Sequence, residues 1–284
     1  MTQKIAVLTA AGPLPRADVE TALARLAADP AGLKPLGASA AEVALPAGAA
    51  PDMDALREGL CLDVNLVPAE GRAKRILIAD MDSTIIGVEC IDELADFAGV
   101  KPQVAEITER AMRGELDFEQ AIDARVGLLK NLSTGALQQC YDQRVRLNPG
   151  ARALVQAMNA AGARTALVSG GFTFFTSRVA AAAGFASNQA NVLDEADGRL
   201  AGTVRRPVLG REAKAAALRA LCEELGVGPE AAVAIGDGAN DLDMIRMAGL
   251  GVAYRAKPAL RAEADAVLDH SDLTAVLALQ GLTG

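Results

Sequence analysis

Short apolar runs alternate along this chain with longer stretches in which apolar residues recur every three or four positions. Near the start, "KIAVLT" has the pattern of a strand and "RADVETALARLAA" that of a helix. "AAEVAL" reads as a second strand, "DMDALREGL" as a short helix and "DVNLVP" as a third strand. "AEGRAK" then reads as a polar linker. A small N-terminal α/β unit of β-α-β-α-β order is therefore expected over residues 1–72.

From Arg75 the rhythm changes. "RILIAD", "ARTALVSGG", "AAVAIGD", "LGVAY" and "DAVLD" are short apolar runs that end in polar or small residues. The helical stretches "ARALVQAMNAAG", "TSRVAAAAGF" and "AKAAALRALCEELG" separate most of them, the last stopped by Gly226. Such alternation predicts an α/β fold with a doubly wound, mostly parallel, Rossmann-like sheet over residues 73–284. "DEADGRLAGTV" reads as a β-hairpin on its edge. Between Asp82 and Asn148 no strand is convincing, and "IDELADFAG" and "VAEITERAMRGELDFEQAIDARVGLLKNL" are helical. A helical cap at about 88–148, inserted after the first strand, would stand over the C-terminal ends of the sheet, where open α/β sheets bind ligands. It is placed to act as a lid.

Composition narrows the partners. The 284 residues are 51% hydrophobic and 23% charged, as in globular proteins, with a net charge of −8. An acidic chain with 3% aromatics and no Trp is a poor match for nucleic acid or an anionic membrane. No apolar run approaches the roughly 18 residues of a membrane span. "MTQKIAVLTAAGPLP" breaks its apolar run at Gly12 and Pro13 and lacks the layout of a secretory leader, so a cytoplasmic protein is expected. The scattered Cys61, Cys90, Cys140 and Cys222 form no C-x-x-C pair and read as reduced thiols. A single histidine, His270, excludes multi-histidine metal sites and reads as a surface residue before the final helix.

The chemistry is concentrated at three strand ends: Asp80 and Asp82 after "RILIA", Ser169 and Gly170 after "RTALV", and Asp237, Asn240 and Asp241 after "AVAIG". In a parallel sheet these ends converge, and four carboxylates would crowd one site. They can share it only if a cation neutralises them or some stay protonated. Oxygen donors favour a hard cation, and Mg²⁺ is the natural choice. Helix capping accounts for one Asp at a time, not for two at alternate positions beside "GDGAND". Cys140 and Arg146 fit the C-x5-R spacing of cysteine-dependent phosphatases, but the intervening "YDQRV" has no Gly, Ser or Thr with which to build a phosphate cradle.

Taken in order, "DMDST", "LVSGG", the Lys214 of "REAKAAAL" and "GDGANDLDM" resemble the four motifs of the haloacid dehalogenase (HAD) superfamily of phosphatases, over residues 74–270. The resemblance implies Asp80 as nucleophile and Asp82 as acid and base. It implies Mg²⁺ held by Asp80, Asp237 and the backbone carbonyl of Asp82. Ser169 and Lys214 would steady the phosphoryl oxygens, Gly170 and Asn240 would contact substrate or phosphate, Thr84 would support the turn, and Asp241 would orient Lys214 or the metal shell.

The cap resembles one branch, the phosphoserine phosphatases. There, a glutamate nine positions past the nucleophile meets the substrate ammonium, and a cap arginine meets its carboxylate. The matching residues are Glu89 and Arg125, with Met112 and Phe118 lining the apolar part of the pocket. Helical spacing also picks out Arg125, midway along a stripe of Phe118, Ile122 and Leu129. On that ground alone it could snorkel, pair with a buried acid or face a ligand. The resemblance implies Mg²⁺-dependent hydrolysis of O-phosphoserine, the last step of serine biosynthesis. Alternatives are transfer of the phosphoryl group to homoserine, hydrolysis of another small phosphomonoester, and a non-enzymatic amino-acid-binding regulatory protein. The last would predict loss of Asp80 or Asp82, and both are present. Residues 1–72 are ferredoxin-like in outline and akin to amino-acid-binding (ACT) domains. Regulation, a homodimer contact and a spacer all remain open for them.

Overall fold

The computed structural model describes residues 3–46, 48–113 and 115–282; the side chain of Met112 lies outside the described residues. The first unit holds strands β1 (Lys4–Thr9), β2 (Lys34–Pro35), β3 (Ala40–Ala44) and β4 (Asp63–Pro68), with helices α1 (Arg16–Arg25) and α2 (Met53–Arg57). The strands form an antiparallel sheet in the order β2-β3-β1-β4. The β-α-β-β-α-β succession with this order is the ferredoxin-like arrangement. It has one strand more than the periodicity suggested, because β2 is only two residues long. Val19, Ala22 and Leu23 of α1 and Leu56 of α2 pack against Ala6, Leu8, Val43 and Val64.

The larger sheet is wholly parallel, in the order β12-β11-β10-β5-β6-β7. Its strands are β5 (Ile76–Ala79), β6 (Arg164–Phe172), β7 (Ser187–Asn191), β10 (Ala232–Gly236), β11 (Leu250–Tyr254) and β12 (Ala266–Leu268). β5 and β10 are central and buried along their whole length, as a strand covered by helices on both faces must be. The edge strand β7 reads "SNQAN", too polar to stand out by periodicity. "DEADGRLAGTV" is therefore not on the edge of this sheet. β8 (Leu193–Ala196) and β9 (Arg199–Val204) form a separate two-stranded sheet, and Arg199 makes an isolated bridge to Ser133.

Between β5 and β6 stand α3 (Cys90–Phe97), α4 (Lys101–Met112), α5 (Phe118–Leu128) and α6 (Thr134–Arg144), followed by α7 (Ala151–Ala160). The stretch from Val104 to Leu132, read as helical, carries two helices. Asp117 starts a new one with a reciprocal capping box to Gln120. The hairpin fastens to this helical layer: Asn131 N donates to Leu200 O, and Leu200 N to Leu132 O. The remaining helices are α8 (Thr173–Ala183), α9 (Arg211–Leu225), α10 (Leu242–Met247), α11 (Pro258–Arg261) and α12 (Ala275–Leu279). α9 ends where expected, with Gly226 in the left-handed conformation at its C-terminus.

The two sheets meet along β4 and β12. The Asn65 carboxamide donates to Val267 O at 2.9 Å and accepts from Val267 N at 2.8 Å. The Asp63 carboxylate accepts from the backbone N–H groups of Asp269, His270 and Ser271 and from the Ser271 hydroxyl. His270 itself is exposed. Among the described residues no helix is long and apolar enough to cross a membrane.

Candidate active site

β5 delivers Asp80 at its C-terminal end, and the chain then turns sharply. Asp82 is extended and Ser83 takes φ +54°, a left-handed conformation that bends the backbone away from the strand direction. The Asp80 carboxylate accepts from Met81 N at 2.7 Å. The Asp82 carboxylate is held from both sides, by Cys90 N at 3.0 Å and by the Ser169 hydroxyl at 3.4 Å. Ser169 Oγ in turn accepts from Gly171 N. A methyl group on Gly171 would lie 2.8 Å from Asp82 Oδ2, so the second glycine of "SGG" keeps room for that carboxylate.

β10 delivers Asp237, and the turn behind it is braced by Asp241. Asp241 Oδ2 accepts from Asp237 N and Gly238 N, and Oδ1 takes the Lys214 ammonium at 2.5 Å. Lys214 reaches across to Asp80 Oδ2 at 2.7 Å. This lysine is 2% exposed, which excludes a solvated surface role. Thr84 is buried and donates to Asp237 Oδ1 at 3.4 Å, and Asn240 Nδ2 donates to Asp80 Oδ2 at 3.4 Å.

The carboxylates carry the electrostatic cost expected of such crowding. Burial pushes Asp80 well above the usual range, Asp241 adds to it, and Lys214 opposes it. Burial and then Glu89 raise Asp82 to about 7, and burial and then Asp241 raise Asp237 to about 6. Burial pulls the Lys214 ammonium down, but Asp80 and Asp241 outweigh it and hold it above its ordinary value. Several carboxylates that resist ionisation beside a single protonated lysine mark a site short of positive charge.

The donors fit a hard divalent cation. Oxygens of Asp80, Asp237 and Asp241 lie within 4.8 Å of one another, and all are carboxylate oxygens of the kind Mg²⁺ selects. Asp241 already serves Lys214 and two backbone N–H groups, which leaves Asp80 and Asp237 as the freer pair.

A cavity of about 360 Å³ opens from these groups toward the cap. Asp80, Asp82, Ser169, Gly170, Asp237 and Asn240 line its floor, and Glu89, Phe118, Ile122 and Arg125 its cap side. Glu89 sits one residue before α3, at its N-cap, and accepts from Ser83 Oγ at 2.7 Å. Arg125 is half-buried, and burial lowers it from its ordinary value. Its Nε donates to Ala121 O, and among the described residues no carboxylate lies within ion-pair distance of it. Of the three readings open for Arg125 in the sequence, pairing with a buried acid is the one that finds no partner among the described residues, and the side chain lines the cavity. Phe118 is 37% exposed at the cavity mouth. Met112 cannot be placed, since its side chain falls outside the described residues.

Several lining residues were not foreseen: Ile91, Asp92, Thr108, Gly171, Phe172 and Lys257. Lys257 Nζ is 4.0 Å from Asp237. Its signal was available, because it follows the end of β11 on the edge where the other strands deliver their polar groups. Asp92 and Thr108 gave none, since each resembles an ordinary polar residue on a cap helix.

The family model of haloacid dehalogenase-like hydrolases matches residues 74–249. A phosphoserine phosphatase of Polaromonas sp. strain JS666 is 47% identical over 210 residues, 72% of this chain and 89% of that protein. Some curated relatives are longer, the chain spanning 63% and 55% of two that are 42% and 44% identical. Among solved structures, a HAD family hydrolase from Salmonella enterica serovar Typhi superposes with a TM-score of 0.87 at 29% identity, covering 98% of each chain. A probable phosphoserine phosphatase from Vibrio cholerae, in unliganded form, gives 0.83 at 33% identity, over 99% of this chain and 87% of that one.

Proposed function

The chain belongs to the haloacid dehalogenase-like hydrolases, and from that premise we propose that it is a phosphoserine phosphatase, hydrolysing O-phosphoserine to serine and phosphate through an aspartyl-phosphate. The observation that carries this reading is the half-buried Arg125 guanidinium, which has no carboxylate partner among the described residues and lines the same cavity as Glu89 and the strand-end aspartates. O-Phosphoserine has a carboxylate, an ammonium and a phosphate, and each has a complementary partner around that cavity.

The Asp80 carboxylate attacks phosphorus as the bond to the serine oxygen breaks. Asp82, held with a raised pKa by burial and Glu89, gives its proton to that oxygen. In the second half it takes a proton from the water that attacks the aspartyl-phosphate, releasing phosphate and restoring Asp80. Lys214 and Ser169 would bind phosphoryl oxygens, and Asp241 keeps Lys214 in place. Mg²⁺, held by Asp80, Asp237 and the backbone carbonyl of Asp82, would neutralise the negative charge that otherwise opposes entry of a phosphate dianion. Glu89 would take the substrate ammonium, Arg125 its carboxylate, and Phe118 and Asn240 would flank it. On the same reading residues 1–72 are a separate unit, the helical cap covers about 88–148, and the protein works in serine biosynthesis in the cytoplasm.

Phosphate release from phosphoserine, phosphothreonine, phosphoethanolamine and 3-phosphoglycerate, each with Mg²⁺ and with chelator, tests the proposal. Phosphoserine should be preferred, and chelation should abolish turnover until Mg²⁺ is restored. Equal rates on phosphoethanolamine, which lacks the carboxylate, would remove Arg125 from its assigned role.

A further inference from the structure

Asn191, the last residue of β7, is a buried polar side chain to which the reaction above gives no part. It is 2% exposed. Its Nδ2 donates to Gly170 O at 2.9 Å and to Leu209 O at 3.1 Å, and its Oδ1 accepts from Leu209 N at 2.7 Å. One carboxamide thus ties together three segments: the edge strand, the end of β6 that carries Ser169 and Gly170, and the loop that leads into the Lys214 helix.

The need for this brace follows from the backbone. β6 and β7 are in register through Val168, and the pairing then shifts before Phe172 meets Asn191. Residues 169–171 bulge out of the ladder toward the cavity, as strands do where they re-aim side chains beside a site. The bulge takes the Gly170 carbonyl out of the β6–β7 ladder, and a partly buried carbonyl without a partner carries a cost. Asn191 supplies the missing donor and extends the same hydrogen-bond set to Leu209.

The two segments that Asn191 joins share a second neighbour. A methyl group on Gly170 would lie 3.4 Å from the Phe118 ring, and one on Gly210 would lie 3.0 Å from it. The ring of Phe118, which comes from the cap, therefore rests on two bare backbone positions of the sheet layer, and the Asn191 carboxamide fixes how far apart they are. Next to this seat, Arg206 donates to both Glu119 and Asp123 of α5, so the same loop holds the cap helix from its polar side.

We propose that Asn191 is a positioning residue for substrate capture: by bonding Gly170 to Leu209 it sets the two-glycine seat on which Phe118 closes the cavity. The inference rests on the phosphoserine reading for its kinetic consequence, and on backbone geometry alone for the seat. Asn191 touches no reacting atom. Its loss loosens the contact of Phe118 with the sheet layer and leaves the strand-end carboxylates where they are.

The test is a kinetic cycle with amide hydrogen exchange in parallel. Asn191→Leu keeps the shape and removes the hydrogen bonds. Asn191→Asp keeps the acceptor for Leu209 N–H but turns a carboxylate oxygen toward two carbonyls. Both should raise KM for phosphoserine about 10- to 100-fold, the range expected when buried partners are left unpaired, and change kcat less than about 3-fold. With Phe118→Ala already present, Asn191→Leu should add less than about 3-fold, because the seat no longer has an occupant. Exchange should speed up at residues 117–123 and 205–210. Gly210→Ala, which fills the seat without touching Asn191, should reproduce the KM effect and so decides the matter if Asn191→Leu fails to fold. Unchanged KM in Gly210→Ala, fully independent effects of the Asn191 and Phe118 changes, or a fall in kcat alone would each overturn the proposal. A wild-type chain that leaves phosphoserine intact would sink the substrate assignment instead, and the exchange experiment would still decide the seat.

Discussion

Asp63, at the seam between the two sheets, and Asp80, at the end of β5, are buried to the same degree, each 4% exposed. Their surroundings are opposite. Asp63 is enclosed by three backbone N–H groups and a serine hydroxyl, all pointing at its oxygens. Backbone donors of this kind satisfy a carboxylate's oxygens directly, and the Arg57 guanidinium stands near enough to interact with it as well. Asp80 has one backbone N–H, a lysine and a 3.4 Å contact from Asn240, and it shares its space with Asp82, Asp237 and Asp241. The first carboxylate is satisfied by the fold and keeps the fold together. The second is left short of positive charge by the fold and, on the proposed function, is completed by what binds there. Burial alone does not separate a structural acid from a working one; the inventory of donors does.

Substitutions should divide along the same line. Asp80→Asn removes the nucleophile and one member of the repelling cluster. We expect kcat on phosphoserine to fall at least about 10³-fold, with no drop in the thermal midpoint; full turnover in this variant would falsify the covalent route. Arg125→Ala comes next. Breaking a desolvated charge pair costs about 2–5 kcal/mol, so kcat/KM on phosphoserine should fall about 30- to 3,000-fold while phosphoethanolamine, having no carboxylate to lose, stays within a few-fold. Asp63→Ala should do the reverse of Asp80→Asn. Orphaning the donors at the seam costs about 3 kcal/mol, or about 6–12 °C in thermal midpoint for a chain of this size, with kinetic constants nearly unchanged in the folded protein. Asn65→Leu, which removes two hydrogen bonds to Val267, should cost about 1–2 kcal/mol, read as a shift of a few degrees by calorimetry.

The same contrast explains what could be read before the fold was known. Asp80, Asp82, Asp237 and Asp241 were visible because they end apolar runs, and a carboxylate there conflicts with the pattern around it. Arg125 was visible for the same reason, interrupting the stripe of Ile122 and Leu129. Asp63 was not, because an acid that starts a strand after "CL" conflicts with nothing, and its partners lie more than two hundred residues away. Asn191 was hidden twice over: its strand, "SNQAN", has no apolar alternation, and its role depends on a register shift in a neighbouring strand. The hairpin of β8 and β9 was recognised as a hairpin, but its place against the cap was not, since local pattern fixes a turn and says nothing of the surface it lands on.

The Asn65 contact has one more consequence. β12 is the outermost strand of the parallel sheet, and the backbone N–H and C=O of Val267 that face away from β11 are both taken by one side-chain carboxamide. A side chain can imitate the hydrogen-bonding face of a strand without offering a further edge beyond it. Growth of the sheet therefore stops at Asn65, where an open strand would be a template for a second copy of the chain. A chain shortened to residues 73–284 would uncover that template, and self-association would be its first symptom, ahead of any change at the carboxylates.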